Sequence, residues 1–154
     1  MKFNFTNVGS VIFDKSSHHS RMIWISLFFL AFFAIGLNIY FDYGVSWDEP
    51  VNRSTGMVSL KYVGEYIAPG FIQGDKAFEQ YPPLHEYIDK DYGVAFELPL
   101  ALFERLLLLN DSRILYLFRH LITFLVGFSG VFAIFKLVER RFDDWRLGLL
   151  GALF

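Results

Sequence analysis

Two adjacent carboxylates, Asp48 and Glu49, form the motif with the most chemical content, within the run Gly-Val-Ser-Trp-Asp-Glu-Pro at residues 44–50. A carboxylate held near a membrane surface can accept a proton from a hydroxyl or an amine, as a general base does. Acidic residues are also preferred at helix starts, where backbone amides lack partners and the helix dipole is positive. Pro50 favours a helix start at this point. The motif therefore fits either a general base or a helix cap.

A second unusual feature is the pair Arg119 and His120, which lies inside an otherwise apolar segment. A charge at the centre of a bilayer costs ~2.5–3.5 kcal/mol, so such a residue normally faces a partner. The Arg119 guanidinium can pair with Asp48 or Glu49, or it can bind a lipid phosphate through two parallel hydrogen bonds. Position alone leaves both the structural interpretation of Arg119 and that of a lipid-phosphate ligand open, and we expect His120 to be packed or interfacial rather than catalytic.

Composition narrows the classes of protein to consider. The chain has 154 residues, of which 54% are hydrophobic and only 19% are charged, against ~25% charged residues in a typical soluble domain. The mean hydropathy of +0.36 points to a membrane protein, and the balance of charge argues against binding to nucleic acid. Cysteine is absent and the sequence shows no cluster at metal-ligand spacing, so we predict neither a metal nor another cofactor.

Two long apolar segments must position the candidate residues. Residues 22–41 are 20 residues without a charge, enough for ~30 Å of helix, and they end without the small residues of a signal-peptide cleavage site. Residues 114–135 form the second predicted span and contain Arg119. Residues 147–154 are apolar again but too few to cross a bilayer. We therefore expect the start of a third span, and the N-terminal portion of a longer multi-pass protein.

The distribution of Lys and Arg predicts the orientation of these spans. Residues 1–21 carry Lys2, Lys15 and Arg21, and residues 136–146 carry four further cations, so both segments should be cytoplasmic. The 42–113 segment is then extracytoplasmic. It contains twelve acidic and six basic residues, a net charge of −6.

This long loop should contain structure of its own. Apolar residues recur at helical spacing over residues 50–66, and a second helix is predicted over residues 99–109. Both are too short or too polar to cross a membrane, so we predict interfacial helices. The expected fold class is an all-α membrane protein with two complete transmembrane helices, the start of a third, and an outer loop carrying interfacial helices.

The order of these features resembles the N-terminal part of membrane glycosyltransferases of the C-type fold, in the protein O-mannosyltransferase and aminoarabinose transferase group (family 39-like). The resemblance rests on Asp-Glu after the first span, on Tyr-Pro-Pro-Leu at residues 81–84, and on Leu-Phe-Arg-His-Leu at residues 117–121. Tyr81 stands where the mannosyltransferases carry a histidine, so the chain departs from their pattern at that position.

The resemblance implies transfer of a sugar from a polyprenyl-phosphate donor to a lipid, glycan or protein acceptor, on the extracytoplasmic side of a bacterial inner membrane. It implies that Asp48 is catalytic, with Glu49 as its neighbour, and that Arg119 binds the lipid phosphate without a metal. We expect the 154-residue chain to be inactive by itself, because the predicted bundle is incomplete.

Two other classes of protein fit the same residues. One is a non-enzymatic membrane scaffold or transporter component, in which Asp48 and Glu49 cap a helix and Arg119 forms a structural ion pair. The other is a signal-anchored outer domain whose second apolar segment packs on the domain surface, which would place Arg140 outside the cell.

Overall fold

A computed structural model describes the backbone of residues 6–154 and the side chains of residues 18–154. Every regular element in this described part is helical. The helices are α1 (Thr6–Ile39), α2 (Glu49–Ile67), α3 (Pro69–Gln73), α4 (Glu97–Leu106), α5 (Ser112–Phe142) and α6 (Trp145–Leu153), with short 3-10 turns at Tyr40–Asp42, Lys76–Phe78 and Leu84–Glu86. The all-α class predicted from the sequence is confirmed. The side chains of Lys2 and Lys15, used above to predict orientation, lie outside the described residues.

Two helices are long and apolar enough to cross a membrane. They contain the segments His18–Asp42 and Ser112–Phe142, which enclose the predicted spans at residues 22–41 and 114–135. Only 11% and 6% of their most apolar 18-residue stretches are buried, so both helices expose most of their apolar surface. Large exposed apolar surfaces of this kind require lipid or another protein to cover them.

The chain divides into two compact units. One is Tyr43–Arg119, and the other comprises the residues up to Asp42 together with His120–Phe154. In the second unit, phenylalanines hold α1 against α5: the Phe29 ring meets the rings of Phe128 and Phe135 edge-on, with centroids 5.9 and 5.4 Å apart. Helix α6 begins at Asp144, whose side chain accepts a hydrogen bond from the Arg146 amide at 2.7 Å. It includes most of residues 147–154, the predicted start of a third span.

Helix α2 is the centre of the Tyr43–Arg119 unit. The sequence predicts an interfacial helix with one apolar face, but six consecutive residues of α2 are buried, from Thr55 to Leu60. Six residues cover every side of a helix, so α2 is enclosed by its neighbours at this level. Its small residues explain the difference, because threonine, serine and glycine lower the apparent apolarity of a face without preventing its burial.

Helix α4 ends earlier than predicted. The sequence predicts a helix over residues 99–109, whereas α4 is Glu97–Leu106. Leu108 adopts a left-handed backbone conformation with φ of 52°, which terminates the helix before Asn110. Helix α4 packs against α2, and its buried Ala101 joins Met57 and Val58 of α2 in one apolar cluster.

Gly56 sets how closely α2 and α4 approach. A Cβ atom at this position would lie 2.6 Å from the backbone oxygen of Glu97. We therefore expect Gly56→Ala to lower the free energy of unfolding by about 1–3 kcal/mol, the usual cost of overpacking. Urea titration in mild detergent, followed by circular dichroism, measures this loss. Gly70→Ala is the matched control, because nothing lies within 4 Å of that Cβ, and it should not destabilise. Equal stability of the two variants would contradict this role of Gly56.

Candidate functional site

A tight turn presents the Asp48 and Glu49 carboxylates at the start of α2. The Glu49 amide donates to the Ser46 carbonyl at 3.3 Å, which closes the turn. The Ser46 hydroxyl donates to Asp48 Oδ1 at 2.7 Å and lies 3.2 Å from Glu49 Oε1. The Ser46 side chain is therefore shared between both carboxylates and fixes their positions.

The helix-cap interpretation of Asp48 finds no support in this geometry. Asp48 occupies the cap position, but its side chain makes no capping hydrogen bond, and its own φ and ψ of −89° and −16° are helical. Glu49 instead reaches back, since its Oε1 accepts a hydrogen bond from the Ser46 amide at 3.3 Å, as in a capping box. The Asp48 carboxylate is exposed, which leaves it accessible to an acceptor molecule.

Hydrogen bonds favour the ionised form of the Asp48 carboxyl, which is the form that can accept a proton. The Ser46 hydroxyl, and secondly the backbone amide of Asp48 itself, lower the pKa of the Asp48 carboxyl from its usual value. Asp48 is therefore ionised at neutral pH. A carboxylate with a low pKa is a weak base.

The same compact unit contains a cluster of four charges, formed by Arg53, Glu97, Glu104 and Arg119, of which Glu104 and Arg119 are buried and the other two are half-buried. Glu104 is completely buried. Arg53 donates to it through Nε, at 3.1 Å from each carboxylate oxygen, and through Nη2 at 2.5 Å. Arg119 pairs with Glu97, and its Nη1 lies 4.0 Å from Glu104 Oε2. Two cations and two anions alternate, so the cluster is neutral overall.

The cluster ties three helices together. Arg53 comes from α2, Glu97 and Glu104 come from α4, and Arg119 comes from α5. Glu97 and Glu104 are seven residues apart, which places them two turns apart on one face of α4. Arg53 is about 7.5 Å along the α2 axis from Asp48 at the rise of a helix. The cluster therefore fixes the helix that carries the candidate base.

The structure gives Arg119 two acidic neighbours that the sequence did not suggest. It pairs with Glu97 and approaches Glu104, whereas the sequence suggested Asp48, Glu49 or a lipid phosphate. Arg119 is only 5% exposed and His120 only 7%, so both are buried as expected of charged or polar residues in an apolar segment.

Three residues of this cluster were not singled out from the sequence: Arg53, Glu97 and Glu104. The one signal for Glu104 is its place in the apolar run Leu-Ala-Leu-Phe-Glu-Arg-Leu-Leu. The hydrogen bond with Glu104 raises the pKa of Arg53 above its usual value. Arg53 therefore stays charged at any physiological pH.

A polar cavity of about 300 Å³ lies beside the cluster within the same unit. Its polar lining residues are Arg53, Gln80, Arg105, Asn110, Ser112 and Tyr116. Arg105 is held by an ion pair with Asp75 at 2.7 Å. Tyr81, of the Tyr-Pro-Pro-Leu motif, is buried near this region, and burial raises the pKa of its hydroxyl. The cavity offers hydrogen-bond donors and acceptors to a polar ligand.

In the described part of the chain, no group of three or more His, Cys, Asp or Glu residues is placed to hold a metal ion. Comparison of the chain with protein-family models, with curated proteins and with solved structures gives no match.

Proposed function

We propose that this chain is the N-terminal portion of an integral-membrane glycosyltransferase that moves a sugar from a polyprenyl-phosphate donor to an acceptor. The observation that carries the proposal is the state of Asp48: its carboxylate is exposed, ionised and unused as a helix cap. It follows a helix long and apolar enough to cross a membrane, which supports a reaction with a lipid-linked donor. The buried charge cluster holds its helix in place.

The proposed reaction is a direct displacement at the anomeric carbon of the donor sugar. The acceptor oxygen or nitrogen forms a bond to that carbon while the bond to the phosphate oxygen breaks, with inversion. Asp48 accepts the proton that the acceptor loses, and Glu49 helps to orient the acceptor. Phosphate is a good leaving group when its charge is matched, which is consistent with a base as weak as Asp48.

In this proposal Arg119 is the cation that matches the charge of the lipid phosphate. Its ion pair with Glu97 means that phosphate binding would exchange one anionic partner for another. Arg119→Lys keeps the charge but removes the bidentate geometry, so we expect it to impair transfer. A non-enzymatic scaffold or transporter component remains the alternative, and there the cluster is purely structural.

The decisive experiment is a transfer assay. Membranes that contain the full-length protein are supplied with labelled polyprenyl-phosphate sugars, and labelled product is compared between the natural sequence and Asp48→Asn. Transfer that requires Asp48 supports the glycosyltransferase. Equal transfer by the natural sequence and by Asp48→Asn supports a non-enzymatic scaffold or transporter component.

The proposal also requires a defined topology, namely a multi-pass protein of the bacterial inner membrane with residues 42–113 outside. The 154 residues contain no cysteine, so each single cysteine introduced among them is the one labelling site in this part of the protein. We expect an impermeant thiol reagent added to intact cells to label Asp91→Cys, but not His18→Cys or Arg141→Cys. All three residues are exposed, so lack of labelling reports the membrane barrier. Labelling of Arg141→Cys but not Asp91→Cys would contradict the topology.

A further inference from the structure

A groove of about 380 Å³ between α1 and α5 combines a charged end with an apolar wall. The charged end is formed by Arg21, Lys136 and Glu139. The wall is formed chiefly by aromatic and aliphatic side chains, which are Met22, Ile25, Phe29, Phe128, Phe132 and Phe135. All of these residues belong to one compact unit. The volume lies within the range of sites that bind small molecules.

The charged end presents positive charge outward. Glu139 pairs with Arg21 and, at 2.9 Å, with Lys136. The Glu139 side chain is 10% exposed, whereas those of Arg21 and Lys136 are 40% and 45% exposed. The single anion therefore lies beneath two cations, and the group carries a net charge of +1.

Arg21 also has an unused donor. Its Nε–H is buried and has no acceptor among the described residues. A buried donor without a partner is unfavourable, so an oxygen atom that reaches this N–H would be favoured. Lys136 lies 5.1 Å from the Phe135 ring centroid, which holds its ammonium group at the boundary between charge and the apolar wall.

The apolar wall runs away from this charged end along both helices. Arg21 precedes Phe29 in α1, and Lys136 follows Phe128 in α5, each by eight residues or about 12 Å of helix. Both helices thus carry their cations at one end of the groove and their phenylalanines farther along the groove. Trp24 and Trp145 line a neighbouring groove near the same end, as tryptophans do at the boundary between lipid and water.

We propose that this groove binds an anionic membrane lipid, with the headgroup phosphate on Arg21 and Lys136 and an acyl chain against the phenylalanine wall. Free phosphate would leave the apolar wall uncovered, and a zwitterionic lipid would bring no net charge to the outward cations. The site is separate from the residues of the proposed transfer reaction.

Lipid selectivity tests the proposal. The full-length protein, purified in a neutral detergent, is titrated with phosphatidylglycerol or phosphatidylcholine of the same acyl chains, and bound lipid is counted by native mass spectrometry. We expect tighter binding of phosphatidylglycerol. Lys136→Gln should weaken that binding about fivefold, equivalent to ~1 kcal/mol for one cation near a lipid headgroup. Lys136→Arg, which keeps the charge, should retain it. Equal affinity for the two lipids would overturn the proposal.

Two further comparisons separate a defined site from general attraction. Arg113→Gln removes an exposed cation from the other end of α5 and should leave phosphatidylglycerol binding unchanged. Glu139→Gln should strengthen binding, because it frees both cations, whereas Asp143→Asn, at a nearby exposed acid, should have little effect. An equal loss in Arg113→Gln, or displacement of the lipid by inorganic phosphate at the same concentration, would also overturn the proposal.

Discussion

Replacing Asp48 by asparagine is expected to lower the rate of the proposed sugar transfer by about 10²–10⁴-fold, the usual contribution of a general base. The change is nearly isosteric, and the asparagine oxygen can still accept the hydrogen bond from Ser46. The amide cannot take a proton from the acceptor, so the loss should appear in turnover. Because Asp48 is exposed and makes no capping bond, the free energy of unfolding should change by less than ~0.5 kcal/mol.

The experiment measures turnover and thermal unfolding side by side in detergent. Asp42→Asn is the matched control. Asp42 is another exposed aspartate and lies in the 3-10 turn that follows α1, so the turnover of this variant should be unchanged. Glu49→Gln should reduce transfer less than Asp48→Asn, because Glu49 already bonds to the Ser46 amide. Turnover of Asp48→Asn close to that of the natural sequence would remove the catalytic assignment.

Glu104→Ala should cause the largest loss of stability, about 3–5 kcal/mol, the cost of breaking a buried ion pair by removing one partner. Glu104 is completely buried and accepts hydrogen bonds from Arg53, with Arg119 also close to it. Without the carboxylate, two guanidinium groups face each other across a site with little water. Urea titration, or thermal unfolding in detergent, measures the effect.

The control is Glu65→Ala, which removes an exposed glutamate from α2 and should change stability by less than ~0.5 kcal/mol. Glu104→Gln keeps the shape and some hydrogen bonds, so its loss should fall between the two. If the variant accumulates too poorly to purify, protease sensitivity of the Tyr43–Arg119 unit in membranes gives the same comparison. Equal stability of Glu104→Ala and Glu65→Ala would contradict a central role for the cluster.

The sequence predicted the two long helices and the start of α2, but it did not predict how α2 is packed. The two long helices followed from hydropathy, because twenty or more apolar residues have few alternatives to a membrane-crossing helix. The start of α2 followed from Pro50, whose ring fits the first helical turn. The burial of α2 did not follow from the sequence. Its buried residues include Thr55, Gly56 and Ser59, so they form only a weak apolar pattern.

The spacing of charged residues along the sequence did not predict the ion pairs either. Arg53 and Glu104 are 51 residues apart, so their contact depends on how α2 and α4 pack. Arg119 was expected to have an acidic or phosphate partner because of its depth, but depth alone did not identify Glu97 as a partner. The sequence can therefore predict that a buried charge needs a polar partner, whereas only the tertiary structure identifies that partner.

The complete burial of Glu104 has a consequence for the effect of ionic strength. Dissolved ions screen exposed charges over a Debye length of about 8 Å at physiological salt and about 3 Å at 1 M, but they cannot enter a packed interior. The contribution of the Arg53–Glu104 pair should thus persist in concentrated salt, where attraction between surface charges fades. The helix that carries Asp48 would keep its place in dilute and in saline surroundings alike.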